Sequence, residues 1–205
     1  MAIVRSGLPV MAFPTIAKWE AWLAAQPASS PGIWLKLARK ASGAISISRQ
    51  EAIEGALCHG WIDGQLDSFD ESHWLVRFTP RKKNSKWSQL NRSKAEKLIE
   101  QGRLAAAGLR EIDEAKADGR WEAAYAPQSK ASVPEDLQQA LDAKPKARRS
   151  FDELDSANRY AILYRLQTAK TEKTRAARLE KFVAMLARGE TIHPRKTLRK
   201  AVARS

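Results

Sequence analysis

The composition of this 205-residue chain is that of a folded protein with a large excess of positive charge. Hydrophobic residues make up 43% of it, with only ten glycines and nine prolines, which excludes the disordered and collagen-like classes. No apolar run approaches the roughly 18 residues of a membrane-spanning helix, no secretory signal is recognisable, and the formal charge of +13 favours attraction to anions without choosing among them.

Hydrophobic spacing in the first part of the chain predicts helices alternating with short strands. Residues 15–26 have the helical period, whereas 33–40 and 44–47 alternate as the two strands of a hairpin. Residues 61–68 and 73–79 predict two further strands. The sequence therefore predicts an α+β fold with a small antiparallel sheet of four strands.

Helix start and stop signals predict further helices in this part of the chain. Ser48 followed by Glu51 is a capping box that begins a helix, and Gly60 lies just beyond its end. Helical spacing returns over residues 87–102 and 104–117. We expect these helices to pack with the sheet.

The last third of the chain has only helical signals. Ser132 and Glu135 predict a second capping box, followed by helices to about residue 143 and over 147–154, 156–168 and 172–188. We expect three regions: an α+β core domain over residues 1–125, a C-terminal helical module over 126–190, and a basic mobile tail over 191–205.

Several motifs together resemble those of one family. They are Glu51-Ala-Ile-Glu-Gly-Ala-Leu-Cys-His-Gly-Trp-Ile-Asp-Gly-Gln65, Arg77-Phe-Thr-Pro-Arg81, Ser85-Lys-Trp-Ser-Gln-Leu-Asn91, Gly108-Leu109, Ala117-Asp-Gly-Arg-Trp121, Thr168-Ala-Lys170 and Thr174-Arg175. From about Trp19 to Pro194 the chain resembles the YdeI/OmpD-associated (OmdA, bacteriocin-protection) family. The resemblance implies a YjbR-like α+β core, a C-terminal helical module, and protection against bacteriocins or other envelope stress.

The residues with the most reactive side chains do not form a recognisable catalytic or metal-binding motif. Cys58 and His59 are adjacent, but neighbours on a helix point about 100° apart, so we expect Cys58 to be structural. The three histidines are scattered and no glycine-rich phosphate loop is present, so we expect no metal and no cofactor. A lone cysteine fits a reducing compartment, and we expect a cytoplasmic location.

One polar and aromatic cluster is a candidate ligand site. Asp63 and Arg77 are expected on neighbouring strands, where they could pair if the register allows. The same cluster could instead be a structural network that holds the strand ends to the next helix. Its residues are Trp61, Asp63, Gln65, Arg77, Arg81, Ser85, Trp87 and Asn91.

The loop after the last predicted strand is a candidate polyanion site. Lys82, Lys83 and Lys86 precede Trp87, which matches the basic and aromatic composition of nucleic-acid surfaces, although a solvated loop has the same composition. Further positive charge is spread over several elements, at Lys144, Lys146, Arg148, Arg149, Arg175, Arg178, Lys181, Arg195, Lys196, Arg199 and Lys200.

The resemblance and the charge favour a non-catalytic cytoplasmic binding or stress-protection protein. Its expected partner is anionic: a nucleic acid, an acidic protein or an anionic small molecule. One alternative is a small-molecule-binding sensor or an enzyme, whose pocket would be lined by Trp61, Asp63, Arg77, Trp87 and Asn91. Another is a nucleic-acid-binding protein.

Overall fold

The computed structural model describes residues 3–40 and 42–194. The chain forms two compact units, one ending at Ala124 and the other beginning at Tyr125. Strands and helices occur in the first unit, and the described residues of the second unit, up to residue 194, form helices alone, so the α+β class is confirmed. Within the described ranges, every helix is too short or too polar to cross a membrane.

A mixed sheet of five strands forms the centre of the first unit. Its strand β2 runs parallel to β3, and the other neighbouring pairs are antiparallel. In spatial order, with numbers that follow the chain, the strands are β1 (Val4–Arg5), β2 (Leu8–Met11), β3 (Ile33–Ala38), β5 (His73–Pro80) and β4 (Trp61–Ser68).

The prediction of four antiparallel strands is wrong at residues 44–47, which form no strand. The backbone N–H of Ala38 donates to the Ser46 hydroxyl at 2.8 Å, so a side chain takes the place of a ladder bond. Ile47 is buried, but its N–H donates to the carbonyl of Phe13 rather than to β3. The N-terminal strands β1 and β2, which the sequence analysis missed, complete the sheet instead.

The described residues of the first unit form four helices. They are α1 (Ile16–Ala24), α2 (Arg49–Cys58), α3 (Gln89–Glu100) and α4 (Ala106–Ala117). The capping box at the start of α2 is confirmed, because the Glu51 N–H donates to the Ser48 hydroxyl and the Ser48 N–H donates to the Glu51 carboxylate.

Helices α1 and α2 cover one face of the sheet. Trp19 is fully buried there, 5.4 Å from the Phe78 ring between ring centroids, and its indole N–H donates to the carbonyl of Ala52 at 3.0 Å. That bond joins α1 to α2 over the sheet. On the opposite face the buried cluster is small and consists of Leu8, Trp34 and Leu75.

The N-terminal turn of α4 lies directly against the C-terminal end of α2. The Ala105 N–H donates to the carbonyl of Cys58 at 3.1 Å. A Cβ at Gly108 would overlap that same carbonyl oxygen and would lie 2.7 Å from the carbonyl oxygen of Leu57. Only glycine therefore allows α4 to approach α2 this closely.

We expect Gly108→Ala to destabilise the protein by about 1–3 kcal/mol, because the added methyl must push α4 away from α2. In an unconstrained helix the same change stabilises by roughly 0.5–1 kcal/mol, so the expected sign is reversed. Urea unfolding measures the difference. Ala106→Gly, at the exposed first residue of the same helix, is the control and should cost at most about 0.5–1 kcal/mol. A stabilised Gly108→Ala variant would contradict the close approach.

The second unit has its own helical core. Its helices are α5 (Glu135–Asp142), α6 (Pro145–Asp152), α7 (Ser156–Gln167) and α8 (Glu172–Ala187). The predicted capping box is wrong, since α5 begins after Pro134 without a side-chain cap. The predicted tail over 191–205 is described only to residue 194, and its cations Arg195, Lys196, Arg199 and Lys200 lie outside the described residues.

Two arginines of α8 donate hydrogen bonds to carbonyl groups at the C-terminal end of α7. Arg175 donates to the carbonyl of Leu166 at 3.0 Å, and Arg178 donates to the carbonyl of Arg165 at 2.6 Å. These carbonyls belong to the last turn of α7, which has no intrahelical donors for them and carries partial negative charge. Arg175 also holds both carboxylate oxygens of Asp136 at 2.8 Å, which ties α5 to α8.

We expect Asp136→Asn to destabilise the second unit above about pH 5 by roughly 1 kcal/mol, as for a well-oriented surface pair. The hydrogen bonds from Arg175 hold the pKa of Asp136 below its usual value, so its contribution is complete above the unfolded pKa and is lost as pH falls through the folded pKa. Thermal unfolding of both proteins between about pH 2 and pH 7 measures this. A difference that stays constant over the acidic range would contradict the role of the ion pair.

Candidate functional site

A cleft of about 520 Å³ opens in the first unit, at the end of β5. We call it the β5 cleft. One wall is the loop before β3, and the other is formed by β4 and by the residues that end β5. Its lining residues are Ala28, Ser29, Ser30, Pro31, Ile62, Asp63, Gly64, Gln65, Arg77, Thr79, Pro80, Arg81 and Lys82.

Close backbone contacts shape both walls. Gly32, with a φ of +103°, ends the loop, and a Cβ there would overlap the carbonyl oxygen of Phe78. Only glycine adopts this conformation without strain at such short range, so the loop rests directly on β5. In β4 the register shifts between Asp63 and Leu66, and this bulge bends the strand beside the cleft.

Arg77 is the central cation of the β5 cleft. Its Nε atom is buried, and among residues 3–40 and 42–194 its guanidinium makes no hydrogen bond or ion pair. A partly desolvated guanidinium without an acceptor is costly, because water no longer satisfies all of its donors. The cleft therefore presents a guanidinium without an acceptor among the described residues to any ligand that carries oxygen acceptors.

Asp63 does not neutralise Arg77. The register places Asp63 opposite Phe78, so its side chain lies on the helix-covered face, whereas Arg77 pairs with Trp34 and lies on the other face. The predicted Asp63–Arg77 pair is therefore not formed. Asp63 instead accepts a hydrogen bond from Arg49 of α2 at 3.2 Å. With Arg81 and Lys82 beside Arg77, the charge in the cleft is predominantly positive.

The eight residues of the predicted ligand site are only partly brought together. Asp63, Gln65, Arg77 and Arg81 line the β5 cleft. The indoles of Trp61 and Trp87 are buried, in two different hydrophobic clusters. Ser85 accepts a hydrogen bond from the N–H of Lys82, and Asn91 lies in the first turn of α3. These last four residues do not line the β5 cleft.

Arg81 is held rigidly between the cleft and the core. It is 6% exposed, and its guanidinium stacks on the Trp87 ring at 3.6 Å from the ring centroid. Its Nη1 atom donates to the carbonyl of Lys86 at 3.4 Å. Trp87 in turn contacts Trp121 edge to face at 4.8 Å. This packing fixes one cation of the cleft.

The predicted polyanion site is also divided. Lys82 and Lys83 are exposed and Lys86 is half-buried, but only Lys82 lines the β5 cleft. Trp87, the aromatic residue of this motif, is 2% exposed. Its ring is therefore inaccessible to a nucleic-acid base.

A smaller cavity of about 140 Å³ adjoins the β5 cleft and shares Arg81 with it. We call it the His59 cavity. Its polar side chains are His59, Arg81, Arg110, Glu111 and Gln26, and Leu23, Pro27 and Ala107 contribute apolar surface. Burial lowers the pKa of His59 and raises that of Glu111. The cavity thus combines a neutral imidazole, a carboxyl group and two guanidinium groups.

No motif or spacing in the sequence predicted Arg110 and Glu111 as site residues. Glu111 follows Gly108 by three residues on α4, next to the buried positions Ile112 and Ala115. A carboxylate beside the buried stripe of a helix is a usable signal for a site.

The described residues contain no cluster of three or more His, Cys, Asp or Glu side chains suited to a metal ion.

Cys58 belongs to neither cavity. It is 1% exposed and packs with Leu57, Ile112 and Ala115 in the hydrophobic cluster between α2 and α4. Burial raises the pKa of its thiol to about 11. The thiolate, which is the reactive form, is therefore scarce at neutral pH.

We expect native Cys58 to react with a thiol reagent at pH 7.5 more than about 100-fold more slowly than in the unfolded chain, because both access and thiolate fraction are reduced. Absorbance with a chromogenic disulfide measures the rate with and without denaturant. A native rate close to the denatured rate would show an accessible, activated thiol instead.

Two protein-family models match the chain. Residues 11–111 match a domain of unknown function (DUF8412), and this segment contains the motifs at residues 51–91. Residues 130–189 match a family described as Bacteriocin-protection, YdeI or OmpD-Associated. Comparison with curated proteins and with solved structures gave no match, and the likeness to the YjbR fold stays a prediction. The predicted resemblance to the Bacteriocin-protection, YdeI or OmpD-Associated family is therefore confirmed for residues 130–189.

Proposed function

We propose that this protein is a non-catalytic, cytoplasmic stress-protection protein of the bacteriocin-protection type, which recognises an anionic partner through the β5 cleft. The observation that carries the proposal is Arg77, whose partly buried guanidinium lacks an acceptor among the described residues of the protein. The family of residues 130–189 supports the protective role.

The chemistry of the cleft favours carboxylate or phosphate groups. A guanidinium presents parallel N–H donors that match two oxygens of such a group, and charge-assisted hydrogen bonds are the strongest of their kind. Arg81 and Lys82 add two further positive charges in the same cleft. The carboxylate of Asp63 lies on the other face of the sheet and is engaged by Arg49, so it weakens this attraction little.

The composition of the cleft supports binding without turnover. The residues that line it include no histidine and no cysteine, and Asp63 is held in an ion pair on the other face of the sheet. General acid–base chemistry needs a titratable group within hydrogen-bond reach of the reacting atoms. A cleft whose charged side chains are mainly Arg77, Arg81 and Lys82 instead suits recognition. The buried, unpaired thiol of Cys58 suits the reducing environment of the cytoplasm.

A compact anion or an acidic protein segment fits the geometry better than a nucleic acid. Sequence-independent binding of single strands combines phosphate contacts with stacking of bases on exposed aromatic rings. Lys82 and Lys83 could supply phosphate contacts, but Trp87 is buried beneath Arg81. A nucleic acid could therefore bind here only through electrostatic attraction to its phosphates, without stacking of its bases.

We expect Arg77→Ala to weaken binding of tripolyphosphate or polyglutamate at least about tenfold, the amount that loss of one charge-assisted hydrogen bond costs. Isothermal titration calorimetry at two salt concentrations measures this affinity. Lys97→Ala removes one equally positive but exposed charge from α3, outside the cleft, and is the matched control. If both variants lose the same amount of affinity, the loss reflects only the lower net charge of the protein, and the proposal is overturned.

A single-stranded DNA oligonucleotide separates the nucleic-acid alternative from the proposal. If the cleft recognises compact anions, the Lys82→Ala, Lys83→Ala double variant weakens DNA binding and flattens its salt dependence, whereas Arg77→Ala has the larger effect on tripolyphosphate. DNA binding that is tighter than tripolyphosphate binding at the same ionic strength, falls steeply with added salt and is lost in the Lys82→Ala, Lys83→Ala variant would favour the nucleic-acid function.

A further inference from the structure

We propose that the His59 cavity is a second ligand site, which binds a small zwitterion of the α-amino acid type. The inference goes beyond the proposed function and does not depend on it. It rests on the cationic and carboxyl groups that share the walls of one small cavity.

The charges in the cavity select a ligand with two opposite charges. Arg81 and Arg110 attract a carboxylate, whereas Glu111 attracts an ammonium group. A simple anion would meet the Glu111 carboxylate, and a simple cation would meet two guanidinium groups. A zwitterion satisfies both sets of groups at once, so it is the class of ligand that the walls favour.

Glu111 and Arg110 are available for such a ligand. Within residues 3–40 and 42–194, neither side chain makes a hydrogen bond or an ion pair, and the Oε2 atom of Glu111 is buried. A Cβ at Gly60 would lie 3.1 Å from the Cγ atom of Glu111, so the backbone of Gly60 supports this side chain. An ammonium group would supply the donors that the carboxylate lacks.

The size of the cavity limits the ligand. Its 140 Å³ lies below the range of about 300–1,000 Å³ that drug-sized molecules and nucleotides occupy. At roughly 30 Å³ for each water-sized group, it holds about five such groups. Glycine, alanine and serine are of this size. The small apolar surface of Leu23 and Ala107 suits a short aliphatic side chain.

The protonation of Glu111 gives the site a pH dependence. Burial and the neighbouring Glu114 raise its pKa, and Arg81, Arg120 and Arg110 oppose that rise. His59, at the end of α2, has a lowered pKa, so it stays uncharged at neutral pH. An ammonium group binds the ionised carboxylate, and affinity for a zwitterion therefore increases as pH rises through the pKa of Glu111.

Calorimetry and thermal unfolding with L-alanine, glycine and L-serine test the proposal. We expect at least one of them to bind with a dissociation constant of about 1 mM and to raise the melting temperature at about 50 mM. Propionate, which lacks the ammonium group, and ethylammonium, which lacks the carboxylate, should each bind at least about tenfold more weakly, because each leaves one set of wall charges unmatched.

Variants assign the binding to the cavity. Glu111→Gln and Arg110→Ala should each weaken amino-acid binding at least about tenfold, and Glu111→Gln should also remove its pH dependence. Asp113→Asn, an exposed acid on the same helix, is the matched control and should bind normally. Arg77→Ala should leave amino-acid binding unchanged, which separates this cavity from the β5 cleft.

Three outcomes would overturn the proposal. One is that none of the three amino acids shifts the melting temperature of the unmodified protein. The second is that propionate or ethylammonium binds as tightly as the amino acid. The third is that Glu111→Gln, shown to be folded by circular dichroism, binds the amino acid with unchanged affinity.

Discussion

The pairing register of β5 with its two neighbours is the constraint on which the rest of the first unit depends. Because Arg77 pairs with Trp34 of β3 and Phe78 pairs with Asp63 of β4, adjacent residues of one strand are directed to opposite faces of the sheet. Phe78 packs in the core against Trp19, whereas Arg77 lies on the opposite face of the sheet, where the buried cluster is small. A slip of one residue would exchange them and place a guanidinium in the core.

A second constraint is the close contact between α2 and α4. Gly108 lets the first turns of α4 rest on the carbonyl groups that end α2. This contact brings Arg110 and Glu111 to the side of His59 and Gly60, although about fifty residues separate the two segments. One glycine thus supplies both the packing of the helices and the shape of the cavity between them.

Local patterns predicted the elements better than they predicted contacts between distant residues. The alternation of residues 61–68 and 73–79 gave β4 and β5 with nearly correct bounds, and Ser48 with Glu51 gave the start of α2. Residues 44–47 alternate equally well, but the Ser46 hydroxyl accepts from the N–H of Ala38 and the N–H of Ile47 donates to the carbonyl of Phe13, so no backbone ladder forms. The bulge in β4, which turns Asp63 away from Arg77, and the position of Glu111 depend on tertiary contacts that no short pattern records.

Several of the basic residues that make up the positive charge are engaged in contacts within the protein. Arg175 and Arg178 complete the end of α7, and Arg148 bonds Asp142 and Asp152, so these cations stabilise the second unit from within. A formal charge counts them equally with Arg77, which makes no such bond in the described part of the chain. The number of cations in the sequence therefore overstates the charge that an approaching molecule meets.

Arg81 forms part of the wall of both the β5 cleft and the His59 cavity, and its stacking on Trp87 leaves it little freedom to turn. A negative group bound on one side offsets part of the positive potential that this fixed guanidinium exerts on the other. Molecules held on the two sides would therefore compete electrostatically without touching, and thermodynamic reciprocity requires each to weaken the other by the same factor.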